Sequence, residues 1–460
     1  MTKDQLYAIS PLDGRYKKKV EVLNKYFSEA AYIQYRIKIE VYWFQTLFEN
    51  GIVGSSSIFS VIKKTTDSWV KNLTYKEICE VKKIEIKINH DVKAVEYFLK
   101  QKAKKSKNKM LEKKSEFFHF GCTSEDINNL CHASMLNDFR KQSFVPQLES
   151  IVLGLSEIAL RTAEVPMISR THGQTASPTT LGKELANFRT RLRASRDRFK
   201  KVSIKGKFNG AVGNFNAHYV ANQNVNWINV SKTFVKKLGF EYNSMTTQIE
   251  PHDWIGEYCD ALASINVILI DLCRDLWGYI SLGYFVQKMK KNEVGSSTMP
   301  HKINPIDFEN AEGNLGISNA LLRHFSDKLP VSRFQRDLSD STVIRNLGVA
   351  FAHSYLANDS IIKGLKKLIV NKKSIEKDLH ISWEVLAEPI QTVMRANGIT
   401  NPYEKLKLLT RGTPINENII CKFIDTLDLP KSEKLKLKLL TPANYIGVAK
   451  KLVKEELKKS

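Results

Sequence analysis

Apolar residues in this chain recur every three or four positions far more often than in strict alternation, which predicts helices nearly throughout. From Phe27 to Phe48 the spacing of Tyr32, Tyr35, Ile39, Trp43 and Leu47 describes an amphipathic helix, and Gly51 supplies its stop. Thr74-Tyr-Lys-Glu77 has the form of a capping box. Thr123-Ser-Glu-Asp126 puts a hydroxyl N-cap and two acids ahead of Ile127, Leu130 and Met135. Long helices are expected over Pro146–Glu164, from Pro178 to about Val202, and from Ile255 to about Lys288. The third is apolar nearly all round, through Leu262, Ile265, Val267, Ile268, Leu272, Leu276 and Ile280, so it belongs inside a bundle. Further helices are expected from Ile306 and over Ser341–Ile362, with irregular structure over Lys205–His218. From about Asn371, short helices are punctuated by Pro402, Pro414, Pro430 and Pro442. The class is all-α, with three helical domains at 1–112, 113–365 and 366–460, the central one a long-helix bundle.

Composition narrows the setting. The 460 residues are 42% hydrophobic, enough for a large core. The stretch Ala261–Ile270 is far shorter than the roughly 20 residues of a membrane span, so no membrane role is expected. The N-terminus has no apolar segment of the secretory kind, and a cytoplasmic protein is expected. Cys79, Cys122, Cys131, Cys259, Cys273 and Cys421 form no C-x-x-C pair, which argues against a zinc site or a disulfide framework. The formal charge of +23 invites a nucleic-acid reading. The excess is Lys dispersed along the chain, and the run Lys100–Lys114 lacks interleaved aromatics, so a solvated surface is the better account.

Candidate chemistry gathers in a few polar segments. Gly295-Ser-Ser-Thr-Met-Pro-His-Lys-Ile-Asn-Pro305 joins a hydroxyl loop to a cation and a helix-starting proline, as an anion-binding loop before a helix would. A plain Gly/Ser hinge is the rival reading. His172 sits among Thr171, Gly173 and Gln174 in a segment without apolar periodicity, expected to be a loop between helices, where functional residues concentrate. Asn89-His90-Asp91 is either a capping turn or a polar site. Arg333, Arg336 and Arg345 around Asp337, Asp340, Ser341 and Thr342 make either a surface salt-bridge face or a clamp for carboxylate or phosphate. Ser10-Pro-Leu-Asp-Gly-Arg15-Tyr16 reads as an N-terminal turn.

Together these segments resemble the fumarase/aspartase superfamily, whose signature loop matches Gly295–Pro305. Within it the chain is similar to the bacterial-type branch that acts on adenylosuccinate, from Ser10–Tyr16 through Asn89–Glu96, Thr123–Asn129, Thr171–Gln174, Gln248–Asp253 and Arg333–Arg345 to Trp383–Gln391 and Thr441–Gly447. The resemblance implies release of fumarate from adenylosuccinate and from succinyl-aminoimidazole-carboxamide ribotide, two steps of purine synthesis, with no cofactor and no metal. It implies Ser296 as the base and His172 as the acid. Arg15, Tyr16, Arg336, Ser341 and Arg345 would hold the phosphate, with Thr342 in the same segment. Asn89, His90, Asp91, Thr123, Ser124, Gln248, Ser297, Lys302 and Asn310 would line the rest of the pocket, Lys302 facing the succinyl carboxylate. It implies a homotetramer whose active sites are shared between subunits. Two positions depart from the family pattern: Thr175 stands where proline is frequent, and Lys87-Ile88 where small hydroxyl residues are. The competing readings are another fumarate-releasing lyase, acting on malate or argininosuccinate, and a non-catalytic helical RNA-binding or scaffold protein.

Overall fold

Ser28 accepts a hydrogen bond from the Ala31 N–H at 3.1 Å and opens helix α1 (Glu29–Glu49). Asn50 closes it, and Gly51 turns the chain away at φ 69°. The computed structural model describes residues 2–54, 56–288, 299, 301–410 and 415–459. Helix α2 (Tyr75–Ile88) starts at the expected capping box, with Glu77 N–H to Thr74 Oγ1 at 3.3 Å and Thr74 N–H to Glu77 Oε2 at 2.9 Å. It is followed by α3 (Asp91–Lys105). Helix α4 (Ser124–Phe139) runs through a π turn at Arg140–Phe144 into α5 (Val145–Arg161). Pro146 is therefore interior to a helical run rather than the start of one. It has no N–H for the carbonyl four residues back, and the wider π geometry just ahead accommodates the missing bond.

The next segment departs from expectation. Between Pro166 and Pro178 there is no loop but an antiparallel hairpin, β1 (Pro166–Thr171) with β2 (Gln174–Thr180). Pro178 lies on β2 opposite Ile168, beside the irregularity between Ile168 and Ser169, where a residue without an N–H is tolerated. Helix α6 consequently begins at Leu181 and runs to Lys201, with Thr180 Oγ1 accepting from the Lys183 N–H at 3.2 Å. The stretch after it is irregular as expected up to Phe215, apart from β3 (Lys205–Gly206), which pairs in parallel with β4 (Glu241–Tyr242), whereas a short helix over Asn216–Ala221 overturns the expectation for its last three residues.

Helix α7 (Asp253–Ser281) stops short of Lys288, because Gly283 at φ 72° reverses the chain into β5 (Phe285–Gln287). Helix α8 (Ile306–Lys328) begins where expected after Pro305. The single helix expected over Ser341–Ile362 is two, α9 (Ser339–Ile344) and α10 (Leu347–Lys367), interrupted at Arg345-Asn346. Strand β6 (Leu368–Val370) pairs with β5, and the short C-terminal helices include α11 (Lys372–Ile381) and α12 (Ala387–Ala396). The all-α class holds, since among the described residues the strands form only short two-stranded pairs.

Two compact units arise, each from discontinuous segments: Met1–Gln147, Arg196–Asn266 and Asn314–Leu356 in one, Leu148–Ser195, Val267–Gly313 and Ala357–Ser460 in the other. In the first, Tyr26, Phe27, Phe139, Phe144, Phe199, Tyr258 and Phe351 interlock by edge and stacked contacts, each pair adding about 0.5–1.5 kcal/mol beyond burial. The same unit contains a satisfied buried polar triad, in which Asn266 Nδ2 donates to Ser354 Oγ at 2.8 Å and the Ser354 and Ser318 hydroxyls lie 2.8 Å apart. In the second, Leu148, Ile151, Leu155, Leu192, Leu272 and Leu276 are fully buried. There the Arg189 guanidinium ties α6 to the C-terminus through the Glu456 and Lys459 carbonyls, both at 2.9 Å. Among the described residues the helical run Ser124–Arg161 is long and apolar enough to cross a bilayer, with 50% of that apolar window buried in the chain itself.

Candidate functional site

In the first unit, Asn89 ends α2 in the left-handed region at φ 53°, with its N–H on the Glu85 carbonyl at 2.7 Å. That turn brings His90 to the N-cap of α3, where Nδ1 accepts from the Lys93 N–H at 3.2 Å and the side chain stays about half exposed. The capping reading of His90 is thus realised. Asp91 Oδ1 accepts from the Val92 N–H at 2.8 Å. Its other oxygen accepts from Arg36 at 2.7 Å and from Arg345 at 2.9 Å. Burial works to raise the Asp91 pKa, and the two guanidiniums outweigh it, so the carboxyl sits below its ordinary range. Arg36 is itself buried and also donates to Asn128 Oδ1 at 3.0 Å, whereas Arg345 remains partly exposed with its second nitrogen 3.3 Å from Glu29.

The second arginine is held as firmly. Arg336 lies 3.1 Å from Glu125 Oε1 and 3.9 Å from Asp340 Oδ1, and donates to Gln248 Oε1 at 3.3 Å. Glu125 and Asp340 are buried, and the buried His252 lies with them, its backbone at φ 67° and both ring nitrogens without a hydrogen-bond partner among the described residues. One ligand-type atom from each of Glu125, His252 and Asp340 lies within 4.8 Å of the others. The Arg336 guanidinium already supplies the cation those carboxylates require, so the cluster reads as an arginine mount rather than a metal centre. Ser341, Arg345, Arg36 and His252 share the wall of a cavity of only about 10 Å³.

Beneath Thr123 lies a fully buried ion pair, Lys207 Nζ to Asp126 Oδ1 at 3.0 Å. Asp126 also accepts from the N–H groups of Thr123 at 2.8 Å, Asn209 at 2.9 Å and Gly210 at 3.1 Å. Asn209 reaches Thr246 Oγ1 at 2.8 Å, and Gln248 donates to the Ala211 carbonyl at 3.2 Å. This network seats Thr123 and Ser124 at the head of α4 and Gln248 on the facing loop. Arg15 and Tyr16 stand in the expected N-terminal turn, with Tyr16 N–H on the Pro11 carbonyl at 2.8 Å and the Arg15 guanidinium 5.9 Å from the Tyr16 ring. Arg15 is exposed, has no acidic partner among the described residues, and is available to an anion. Thr342 is exposed, its carbonyl accepting from Asn346 at 3.1 Å.

In the second unit, His172 and Gly173 are the tip of the β1–β2 hairpin, between the paired Thr171 and Gln174. Their φ values of 53° and 75° are those of a type I′ turn, whose twist matches the strands it joins. His172 is exposed there. Thr175, the departure from the family's proline, pairs with Arg170 in the ladder. Lys302 is exposed, its N–H on the Met299 carbonyl at 3.0 Å, and Asn310 accepts from the Ser360 hydroxyl at 3.0 Å. Ser296 and Ser297, with Gly295, lie outside the described residues.

Within the first unit the structure brings Asp91 to Arg345 and Gln248 to Arg336, and presents guanidiniums whose remaining donors suit a carboxylate or phosphate. Sequence reasoning missed Arg36, Glu125, Asp126, Lys207 and His252. Only the acidic pair Glu125-Asp126 and the polar segment Gln248–Asp253 offered a signal, and both had been read otherwise or left without a role.

Residues 14–317 match the model of the lyase family, and residues 332–446 match that of the adenylosuccinate lyase C-terminal region. The chain is 50% identical over 451 residues to the adenylosuccinate lyase of Haemophilus influenzae, covering 98% of each. It is 50% identical over 456 residues to that of Escherichia coli, covering 99% of this chain and 100% of the other. Among solved structures, a fumarate lyase from a Mesorhizobium species has the same fold, with a TM-score of 0.78 at 18% identity over 96% of this chain and 98% of that one.

Proposed function

The chain belongs to the adenylosuccinate lyase family within the larger lyase family, and from that premise we propose that it eliminates fumarate from adenylosuccinate to give AMP, and from succinyl-aminoimidazole-carboxamide ribotide to give the carboxamide ribotide. It is a carbon–nitrogen lyase. The observation that carries the reading is identity of 50% to curated adenylosuccinate lyases along nearly the whole chain. Mounted arginines, Arg336 and Arg345, fit a substrate bearing a phosphate and carboxylates.

In the mechanism we assign, Ser296 removes the proton from the carbon beside a succinyl carboxylate. The electron pair left behind is held as an aci-carboxylate, which a cation such as Lys302 stabilises. The carbon–nitrogen bond then breaks, and His172 delivers a proton to the departing nitrogen. Arg15, Tyr16, Arg336, Ser341, Thr342 and Arg345 bind the phosphate. Asn89, His90, Asp91, Thr123, Ser124, Gln248, Ser297 and Asn310 bind the remainder of the substrate. No step in this scheme calls for a cofactor.

The working form in this reading is a cytoplasmic homotetramer with sites shared between subunits. Exposed apolar side chains on the long helices support it: Leu153 and Leu160 on α5, Val267 and Trp277 on α7, and Ile317 on α8 are about half or more exposed in the single chain. The direct test follows the ultraviolet absorbance of purified protein with adenylosuccinate, malate and argininosuccinate. Turnover of adenylosuccinate is expected, and turnover of malate alone overturns the reading.

A further inference from the structure

Two C-terminal segments singled out in the sequence, Trp383–Gln391 and Thr441–Gly447, take no part in the mechanism above. The first meets the hairpin that carries His172, and the second joins the first through Tyr445. On β2 the Ser177 hydroxyl donates to the Glu388 carboxylate, and Glu388, at the head of α12, also hydrogen-bonds the Tyr445 hydroxyl. Burial and that carboxylate push the Tyr445 hydroxyl up to about 12, so it remains a donor throughout the physiological range. On β1, Arg170 donates to Asp378 Oδ2 at 2.6 Å, and the same oxygen accepts from the Tyr284 hydroxyl. Asp378 belongs to α11.

Each strand of the hairpin is therefore tied by a charge-assisted bond to a carboxylate on a different helix. Arg170 is on β1, two positions before His172 in the turn, and Ser177 sits opposite the ladder irregularity between Ile168 and Ser169. An isolated two-stranded hairpin is marginally stable in water, and its ladder sets the turn without setting the direction in which the tip points. The base of this hairpin is packed, with Met167, Ile168 and Thr180 buried, and the two carboxylates, approaching from separate helices, hold the strands between that base and the tip.

We propose that Asp378 and Glu388 are positioning residues for His172, acting through Arg170 and Ser177 to fix where the imidazole stands when it gives up its proton. This rests on His172 being the acid of the reaction. The ties touch no substrate, so their loss reduces the fraction of molecules with the acid in place and leaves substrate affinity nearly unaltered. Misplacement of about 1 Å in a reacting group costs up to about 100-fold in rate.

The test uses full-length Asp378→Asn, Glu388→Gln and the double variant, with steady-state kinetics on adenylosuccinate and amide hydrogen exchange. The double variant is expected to show faster exchange in residues 166–180, a kcat lower by about 10- to 100-fold, and a KM within about twofold of wild type. Arg170→Lys, which keeps an ion pair with Asp378, is expected to retain most turnover, whereas Arg170→Gln should behave as Asp378→Asn does. Unchanged hairpin exchange overturns the bracket, and so does an unchanged kcat alongside faster exchange. A rise in KM matching the fall in kcat also overturns it. Should the helix variants fail to fold, Ser177→Ala with Arg170→Gln removes the same ties from the hairpin side and decides the matter. Absence of wild-type turnover on adenylosuccinate would sink the functional reading alone, since hydrogen exchange tests the bracket without substrate.

Discussion

Arg345 donates to Asp91 Oδ2 at 2.9 Å across 254 residues of sequence. The bond joins a helix N-terminus to the break between α9 and α10, and Arg36 holds the same oxygen from the buried side at 2.7 Å. One carboxylate thereby sets two guanidiniums.

Asp91→Asn is expected to destabilise the protein by about 1–3 kcal/mol and to raise KM for adenylosuccinate, because the buried Arg36 loses its charged partner. The folded carboxyl titrates below its ordinary value, so its contribution is present above the unfolded pKa and is lost as pH falls through the folded one. Thermal midpoints of wild type and Asp91→Asn should differ at neutral pH and converge on acidification from about pH 4 downward. Parallel curves would show that Asp91 is not held this way.

His172→Ala and Ser296→Ala should each lower kcat by about 10²–10⁴-fold, the range for positioned acid–base groups, with the assembly state unchanged in the ultracentrifuge. When the two inactive variants are mixed and subunits exchange, part of the activity should return, because some shared sites then carry both intact residues. Confirmed exchange without recovery would rule out sharing of these two residues.

His119 pairs through Nδ1 with the fully buried Glu40 Oε1 at 2.6 Å. Burial lowers its pKa, and the Glu40 charge and hydrogen bond more than compensate, so the net shift is upward. Such a group stabilises fully below the unfolded value of about 6.5, and its contribution disappears as pH rises through the folded value. Urea midpoints of wild type should therefore fall between about pH 6 and pH 9 by more than those of His119→Gln. Equal slopes would refute the assignment.

Lys207→Met leaves Asp126 buried without its ion-pair partner and should cost about 3–5 kcal/mol in urea unfolding. Asp126→Asn combined with Lys207→Met should be the more stable protein, since neither group then carries an uncompensated charge. Both should raise KM, as Thr123 and Gln248 lose the loop that seats them. If the double variant is as unstable as the sum of the single ones, the pair is not coupled.

Helix starts were legible wherever the determinant lies within one turn. The Thr74–Glu77 box caps where expected, because donor and acceptor are three residues apart, and the structure adds the same spacing at Ser28. The hairpin was not legible: Ser, Thr and Pro between two long helices carry turn and loop signals, and the ladder that overrides them needs both strands at once. The end of α7 at Ser281 and the break at Arg345-Asn346 were missed for a related reason, since apolar periodicity continues past both.

Residue types alone determined the all-α class and the family. These follow from short-range periodicity and from motifs that keep their chemistry wherever the chain puts them. Tertiary structure alone decided that Arg36 and Asp91 mount Arg345, that Glu125 and Asp340 mount Arg336, that Asp126 and Lys207 are buried as a pair, and that His172 stands at the tip of a strand turn. Coulombic and hydrogen-bond energies depend on distance and burial, and folding sets both between residues that the sequence keeps far apart.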